Sequence, residues 1–300
     1  MREPVPDLDA LRELRATRPQ AVAERAAARR RRPLLTSRGG KLMLVAADHP
    51  ARNAFGVRGA AMAMADRGEL LRRLVLALSR PGVDGVLGTA DVLEDLLLLG
   101  ALEDKVVIAS MNRGGLAGSA FELDDRFTAY DADSVAAAGF DGGKMLVRID
   151  LADPATAGTL EACARAVTAL AGHGLMAMVE PFLSRRVDGK VRNDLSTEAV
   201  VRSAGISAAL GATSAYTWLK LPVVDGMDEV MAATTLPALL LGGDPDESPD
   251  ETFGGWEKAL ALPGVRGLVV GRTMLYPRDG DVAAAVDTAA RLVRPGGSER

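Results

Sequence analysis

The chain has 300 residues, 48% of them apolar, with a formal net charge of −4. That length exceeds the usual single domain but suits one α/β barrel core, and the acidic balance lacks the clustered basic footprint of a nucleic-acid binder. No apolar run approaches the ~18 residues of a membrane span, and residues 1–20 alternate charges with single leucines where a leader would be apolar, so a cytoplasmic protein with no nucleic-acid or membrane partner is expected.

In chain order, residues 8–32 have helical spacing through Leu8, Leu11 and Leu14 and end in the run Arg29-Arg30-Arg31-Arg32 before Pro33. The run reads as a solvated helix end favoured by the macrodipole, with an anion patch as the alternative. From Lys41 onward, short apolar runs alternate with amphipathic stretches, the pattern of βα units around a parallel sheet. Strands are predicted at 42–47, 82–87, 106–110, 144–149, 175–179, 216–221, 238–241 and 266–270. Helices are predicted at 60–79, 90–101, 154–171, 197–210, 225–233 and 281–293. Eight such units over about 250 residues match a (β/α)8 TIM barrel. A doubly wound sheet is the alternative, but no Gly-x-Gly-x-x-Gly follows the first strand. The organisation read here is a helical extension at 1–38, a barrel domain at 39–294 and a flexible tail at 295–300. The lone Cys163 lies on an amphipathic helix and reads as core packing. The N-terminal helix and the apolar 93–102 stretch suit either an interface or packing onto the barrel, which leaves a homo-oligomer open.

The six lysines stand out against thirty arginines. Lys41, Lys105, Lys190 and Lys258 sit at element edges or in polar turns, where a solvated charge is sufficient explanation. Lys220 instead ends the aromatic and β-branched run Tyr216-Thr217-Trp218-Leu219, and Lys144 opens another apolar run. Burying an ammonium costs several kcal/mol unless it is paired or neutral. Those two positions therefore point to chemistry, with a snorkelling side chain as the plain alternative.

Barrel active sites lie at the carboxyl ends of the strands. There the first strand delivers Asp48 and His49, the third leads to Asn112 and Arg113, the fourth carries Lys144, Arg148 and Asp150, the fifth ends in Glu180 and the sixth in Lys220. Asp48 reads equally as a helix cap, Glu180 as one half of an ion pair, and Arg113 and Arg148 as anion ligands or as neutralisers of nearby acids. The last two strands end in Gly242-Gly243 and Gly271-Arg272, which would bring backbone N–H groups together where many barrels hold phosphate. Asp244 and Asp246 act against an anion there. Only two histidines occur, and no Cys/His cluster has zinc-ligand spacing, so no metal or other cofactor is expected.

The set Ala47-Asp48-His49, Gly143-Lys144-Met145-Leu146-Val147, Met178-Val179-Glu180-Pro181, Trp218-Leu219-Lys220-Leu221-Pro222 and Val270-Gly271-Arg272 resembles the class I, Schiff-base-forming aldolases of the group that contains tagatose-bisphosphate aldolase and the archaeal-type fructose-bisphosphate aldolases. The resemblance covers about 42–275. It implies Lys220 as the imine-forming lysine, Glu180 as general acid/base, Lys144 as a second active-site cation, Asp48 as a substrate or proton-relay contact, and Gly243, Gly271 and Arg272 as part of a phosphate site. Two departures fall on substrate contacts: Pro50 follows His49 where these relatives usually have glycine, and the Gly242-Gly243 pair runs into Asp244-Pro245.

On this reading a phosphorylated ketose or keto-sugar acid, such as one from inositol breakdown, is cleaved to dihydroxyacetone phosphate and an aldehyde. Lys144 facing Lys220 across neighbouring strands would help to depress the Lys220 pKa and supply a neutral nucleophile. Two other readings stand beside it: a Schiff-base lyase of an unphosphorylated keto acid, and a catalytically silent barrel that binds a sugar phosphate.

Overall fold

The computed structural model describes residues 6–36, 40–243 and 249–295. Eight parallel strands close on themselves: β1 (Leu42–Ala46), β2 (Gly85–Gly88), β3 (Val106–Ser110), β4 (Gly142–Ile149), β5 (Met176–Val187), then β7 (Thr217–Leu221), β8 (Ala238–Leu241) and β9 (Val265–Val270), which pairs back onto β1. The extra strand β6 (Lys190–Asn193) is antiparallel to the far end of β5 and lies outside the barrel ring. The chain is a (β/α)8 TIM barrel. Two helices, α1 (Leu8–Thr17) and α2 (Ala21–Ala28), precede it. Around it run α3 (Arg67–Ser79), α4 (Ala90–Leu98), α5 (Ala132–Ala137), α6 (Ala155–Gly172), α7 (Thr197–Ala208), α8 (Met227–Ala232), α9 (Pro249–Leu260), α10 (Arg272–Leu275) and α11 (Val282–Val293). Among the described residues no helix is long and apolar enough to cross a membrane.

Strand residues alternate between two cores, as a period of two requires. Met43, Val45, Val107, Met145, Val179, Leu219 and Val270 face the helices, while Leu42, Leu44, Val106, Ile108, Met176, Met178, Leu239 and Val269 fill the barrel. Leu34 and Leu35 pack against the inner core. The buried runs of the strands follow from this double burial, which leaves no face for polar residues until the chain reaches the mouth.

Two expectations change, and the 93–102 stretch takes the second of its two readings. Helix α3 begins at Arg67, not at 60, because Gly59 adopts a left-handed φ of 78° and Asp66 caps the helix by accepting the Glu69 N–H at 2.9 Å. The arginine run is not a solvated helix end. Arg29 is 5% exposed and donates to the carbonyls of Lys105 (2.7 Å) and Gly139 (2.6 Å), while Arg32 meets Asp84 at 2.6 Å. Asp84 also accepts the Met43 N–H, so the run ties the chain before the barrel to the amino ends of its strands. The leucines of 93–102 serve the molecule itself: Leu93, Leu96, Leu97 and Leu102 are buried in the helix-facing core.

Removing the Arg29 guanidinium leaves two half-buried carbonyls without their donors, at about 1–3 kcal/mol. Arg29→Met is therefore expected to lower the urea midpoint with an unchanged slope, and an unaltered midpoint would show that the clamp contributes nothing.

Candidate active site

Parity carries the polar residues into the mouth. In the β4–β5 register Lys144 lies beside Met178 and Leu146 beside Glu180, and in the β5–β7 register Val179 lies beside Leu219. Lys144, Glu180 and Lys220 therefore point into the barrel from β4, β5 and β7, and Asp48, two residues past the end of β1, shares the parity of inward-facing Leu44 and Ala46.

All four meet. Lys144 Nζ donates to Asp48 Oδ2 at 2.9 Å and lies 2.7 Å from Glu180 Oε2, and Lys220 Nζ lies 2.9 Å from Glu180 Oε1. None is more than 7% exposed, so water screens the charges little. Lys144 and Lys220 do not occupy neighbouring strands as expected. β5 separates them, and Glu180 bridges their ammonium groups. The two amines consequently differ. Burial lowers the affinity of both for a proton, but Lys144 has two carboxylates that outweigh burial and raise its pKa. Lys220 has one close carboxylate, and burial with the charge of Lys144 holds its pKa below the ordinary lysine value. Burial alone would raise the two carboxyls; the cations, Lys144 foremost, instead hold Glu180 down at about 2 and Asp48 well below the usual range.

Lys220 and Glu180 form part of the wall of a cleft of ≈ 920 Å3 together with His49, Gly242, Gly243, Gly271 and Arg272. Lys144 and Asp48 are buried behind it. Burial pulls the His49 pKa to about 3 against the opposing Asp48, so the ring is neutral at physiological pH. Its packing against Gly271 is close enough to forbid a side chain there: a Cβ would lie 2.6 Å from His49 Cε1 and from the Ala46 carbonyl oxygen. Thr273 Oγ1 donates to the Gly242 carbonyl at 3.2 Å, which joins the ends of β8 and β9. Gly243 has φ 70°, the left-handed region. Arg272 donates to the Gly56 carbonyl from the same loop cluster. Asp244 and Asp246 lie outside the described residues. Pro50 begins a short 3-10 turn, Pro50–Arg52, directly after His49.

Two predicted ligands stand apart. Arg113 is exposed and donates to the Ala51 carbonyl at 2.6 Å beside a separate surface hollow. Arg148 closes on the buried Glu122 and does not border the cleft. Asn112 is structural, its amide donating to Leu146 O and accepting from Leu146 N where the β3–β4 ladder has ended. Asp150 caps the turn into α6, accepting from Ala152 N at 3.0 Å. Sequence reasoning missed Arg52 and Trp256, which border the cleft from the 3-10 turn and from α9. Nothing in their spacing marks them; the position of Arg52 four residues past Asp48 was the one available signal. Among the described residues, no group of three or more His, Cys, Asp or Glu side chains could hold a metal ion.

Residues 40–290 match the family described as Cgl0159-like. The crystal structure of Cgl0159 from Corynebacterium glutamicum superposes with a TM-score of 0.93 at 60% identity, covering 96% of this chain and 97% of that one. An archaeal fructose 1,6-bisphosphate aldolase superposes at 0.62 with 19% identity over 92% of this chain and 100% of its own. A Schiff-base-forming fructose-1,6-bisphosphate aldolase does so at 0.61 with 21% identity over 91% and 99%. At those identities the likeness to the aldolases is one of fold. Among curated proteins, none matches the chain.

The asymmetry between the two lysines is open to direct measurement. Reductive methylation at neutral pH, read by peptide mass, is expected to modify Lys220 faster than exposed Lys190 and to leave Lys144 unmodified until the protein unfolds. Equal rates at Lys144 and Lys220 would contradict the assignment.

Proposed function

This chain belongs to the Cgl0159-like family, and on the geometry of its barrel mouth we propose that it is a class I aldolase that forms a Schiff base at Lys220. The observation that carries this reading is a single buried amine at the edge of the cleft, held below its ordinary pKa, with a carboxylate 2.9 Å away. An ordinary lysine, with a pKa near ~10.4, is almost wholly protonated at neutral pH and cannot attack a carbonyl. Lys220 is placed to pass its proton to Glu180, attack the ketone carbon of a ketose phosphate and form a carbinolamine. Glu180 returns the proton to the departing hydroxyl, water leaves and a protonated imine remains.

That imine is the electron sink for cleavage. A base removes the proton of the hydroxyl on the carbon beyond the breaking bond, the C–C electrons flow to the imine nitrogen, and an aldehyde departs to leave an enamine. Protonation of the enamine carbon and hydrolysis free dihydroxyacetone phosphate and the lysine. Glu180 is the proton carrier within reach of Lys220, while Lys144, with its raised pKa, keeps its proton and keeps Glu180 ionised between turnovers. Gly242, Gly243, Gly271 and Arg272 suit the phosphate: close backbone approach at the ends of β8 and β9, with a guanidinium beside it. The likeness in fold to Schiff-base aldolases supports the same class of reaction.

Borohydride reduction with dihydroxyacetone phosphate is expected to leave one stable adduct, mapped to Lys220 and absent from Lys220→Met. Cleavage by Glu180→Gln should fall by about 100-fold to 10,000-fold, the range for loss of a general acid/base. An adduct on another lysine, or none, would overturn the proposal.

A further inference from the structure

The inward face of β5 continues past Glu180. Phe182, one inward step nearer the opening, is 6% exposed yet lies outside both apolar cores, and it borders the cleft instead. Pro222 holds the matching place beside it: two residues past Lys220 and of the same inward parity, it is buried and also borders the cleft. Leu195, just after β6, adds a third apolar side chain to this edge. On the other side of Phe182, its register partner on β4 is Arg148, which closes on Glu122 and does not border the cleft. The polar groups that do border it here are engaged or wet. Asn193 Oδ1 accepts the Ser184 hydroxyl at 3.0 Å, and Asp225 and Asp228 are exposed.

Strand order decides what meets this edge. β7 has β8 on one side and β5 on the other. A three-carbon ketone phosphate held by its carbonyl carbon at Lys220, with its phosphate at the ends of β8 and β9, carries its third carbon toward β5. That carbon is the one bonded to the aldehyde half, which therefore lies against Phe182 and Pro222, above Glu180. A hydroxyl pressed against that wall loses water without gaining a partner, whereas a methyl or methylene is favoured there. We infer that Phe182 and Pro222 determine specificity as an apolar collar, selecting an aldehyde that bears hydrogen or alkyl, not hydroxyl, on the carbon next to its carbonyl. The ketose phosphate cleaved is then deoxy at the second carbon beyond the breaking bond. This rests on the aldolase reading above and narrows its substrate from ketose phosphates in general to that deoxy class.

The test runs the reaction toward bond formation, offering dihydroxyacetone phosphate with either propanal or glycolaldehyde, which differ only by methyl against hydroxyl on the carbon next to the carbonyl. Consumption of dihydroxyacetone phosphate by the full-length protein is followed by phosphorus NMR, with rates referred to the free, unhydrated aldehyde. Wild type is expected to favour propanal by about tenfold to 100-fold in kcat/KM, the range that an apolar pocket extracts from such an isosteric pair. Phe182→Ser should remove most of that preference, and Phe182→Tyr, which keeps the ring should the serine variant fold poorly, should narrow it. A purely structural role for Phe182 would slow both aldehydes alike and leave their ratio unmoved. The inference is overturned if wild type uses glycolaldehyde as well as propanal, if protein that forms the Lys220 adduct joins neither aldehyde, or if the variants keep the wild-type ratio. Failure of the aldolase reading shows separately, as absence of the Lys220 borohydride adduct, whose formation involves no aldehyde.

Discussion

The mouth of the barrel depends on one buried ammonium. Lys144 sits between Asp48 and Glu180, at 2.9 and 2.7 Å, and is the cation that makes two buried carboxylates tolerable. Without it, two anions would share a space that water barely enters, and each would be driven to take up a proton. With it, Glu180 stays ionised and can exchange a proton with Lys220. The same charge discourages protonation of Lys220, the end member of the chain, which has one close carboxylate where Lys144 has two. Charge balance in the cluster and division of labour between the lysines are therefore one arrangement.

The barrel makes that arrangement possible by strand parity. The inward position before each of these residues is small or apolar, Gly142 on β4, Met178 on β5 and Trp218 on β7; Lys144 lies level with Met178, and Glu180 and Lys220 lie together one inward step higher. Beneath them the interior is filled by leucine, valine and methionine, and the arginine run after α2 holds the opposite end, with Arg29 on backbone carbonyls and Arg32 on Asp84. Rigidity at the closed end leaves loops free to differ at the open end, where His49, Gly242, Gly243, Gly271 and Arg272 border the cleft.

Much of this was legible in the chain. Strands buried on both faces are apolar runs with no alternation to confuse them, so their number and order could be read, and with them the barrel. Lys144 and Lys220 stood out because charge inside such runs is costly. Other features depend on spatial neighbours that local pattern does not encode. β5 continues through Ser184-Arg185-Arg186-Val187 to pair with β6, yet that polar stretch reads as loop. The insertion of β5 between the two lysines follows from barrel closure. Arg113 follows the end of β3 as His49 follows β1, and Arg148 lies near the end of β4; only the fold shows that one turns to Ala51 and the other to Glu122. Arg52 left one trace, its position four residues past Asp48, and that it borders the cleft follows from the 3-10 turn after His49.

The central step is formation of an enamine at Lys220. The most direct measurement is deuterium incorporation into dihydroxyacetone phosphate in D2O, followed by proton NMR, since enamine formation and reversal exchange a hydrogen on the carbon next to the ketone without any aldehyde present. Wild-type protein is predicted to exchange one of the two hydrogens on the hydroxyl-bearing carbon stereospecifically, and Lys220→Met none. Exchange that persists in Lys220→Met, or no exchange by the wild type, would contradict the central claim.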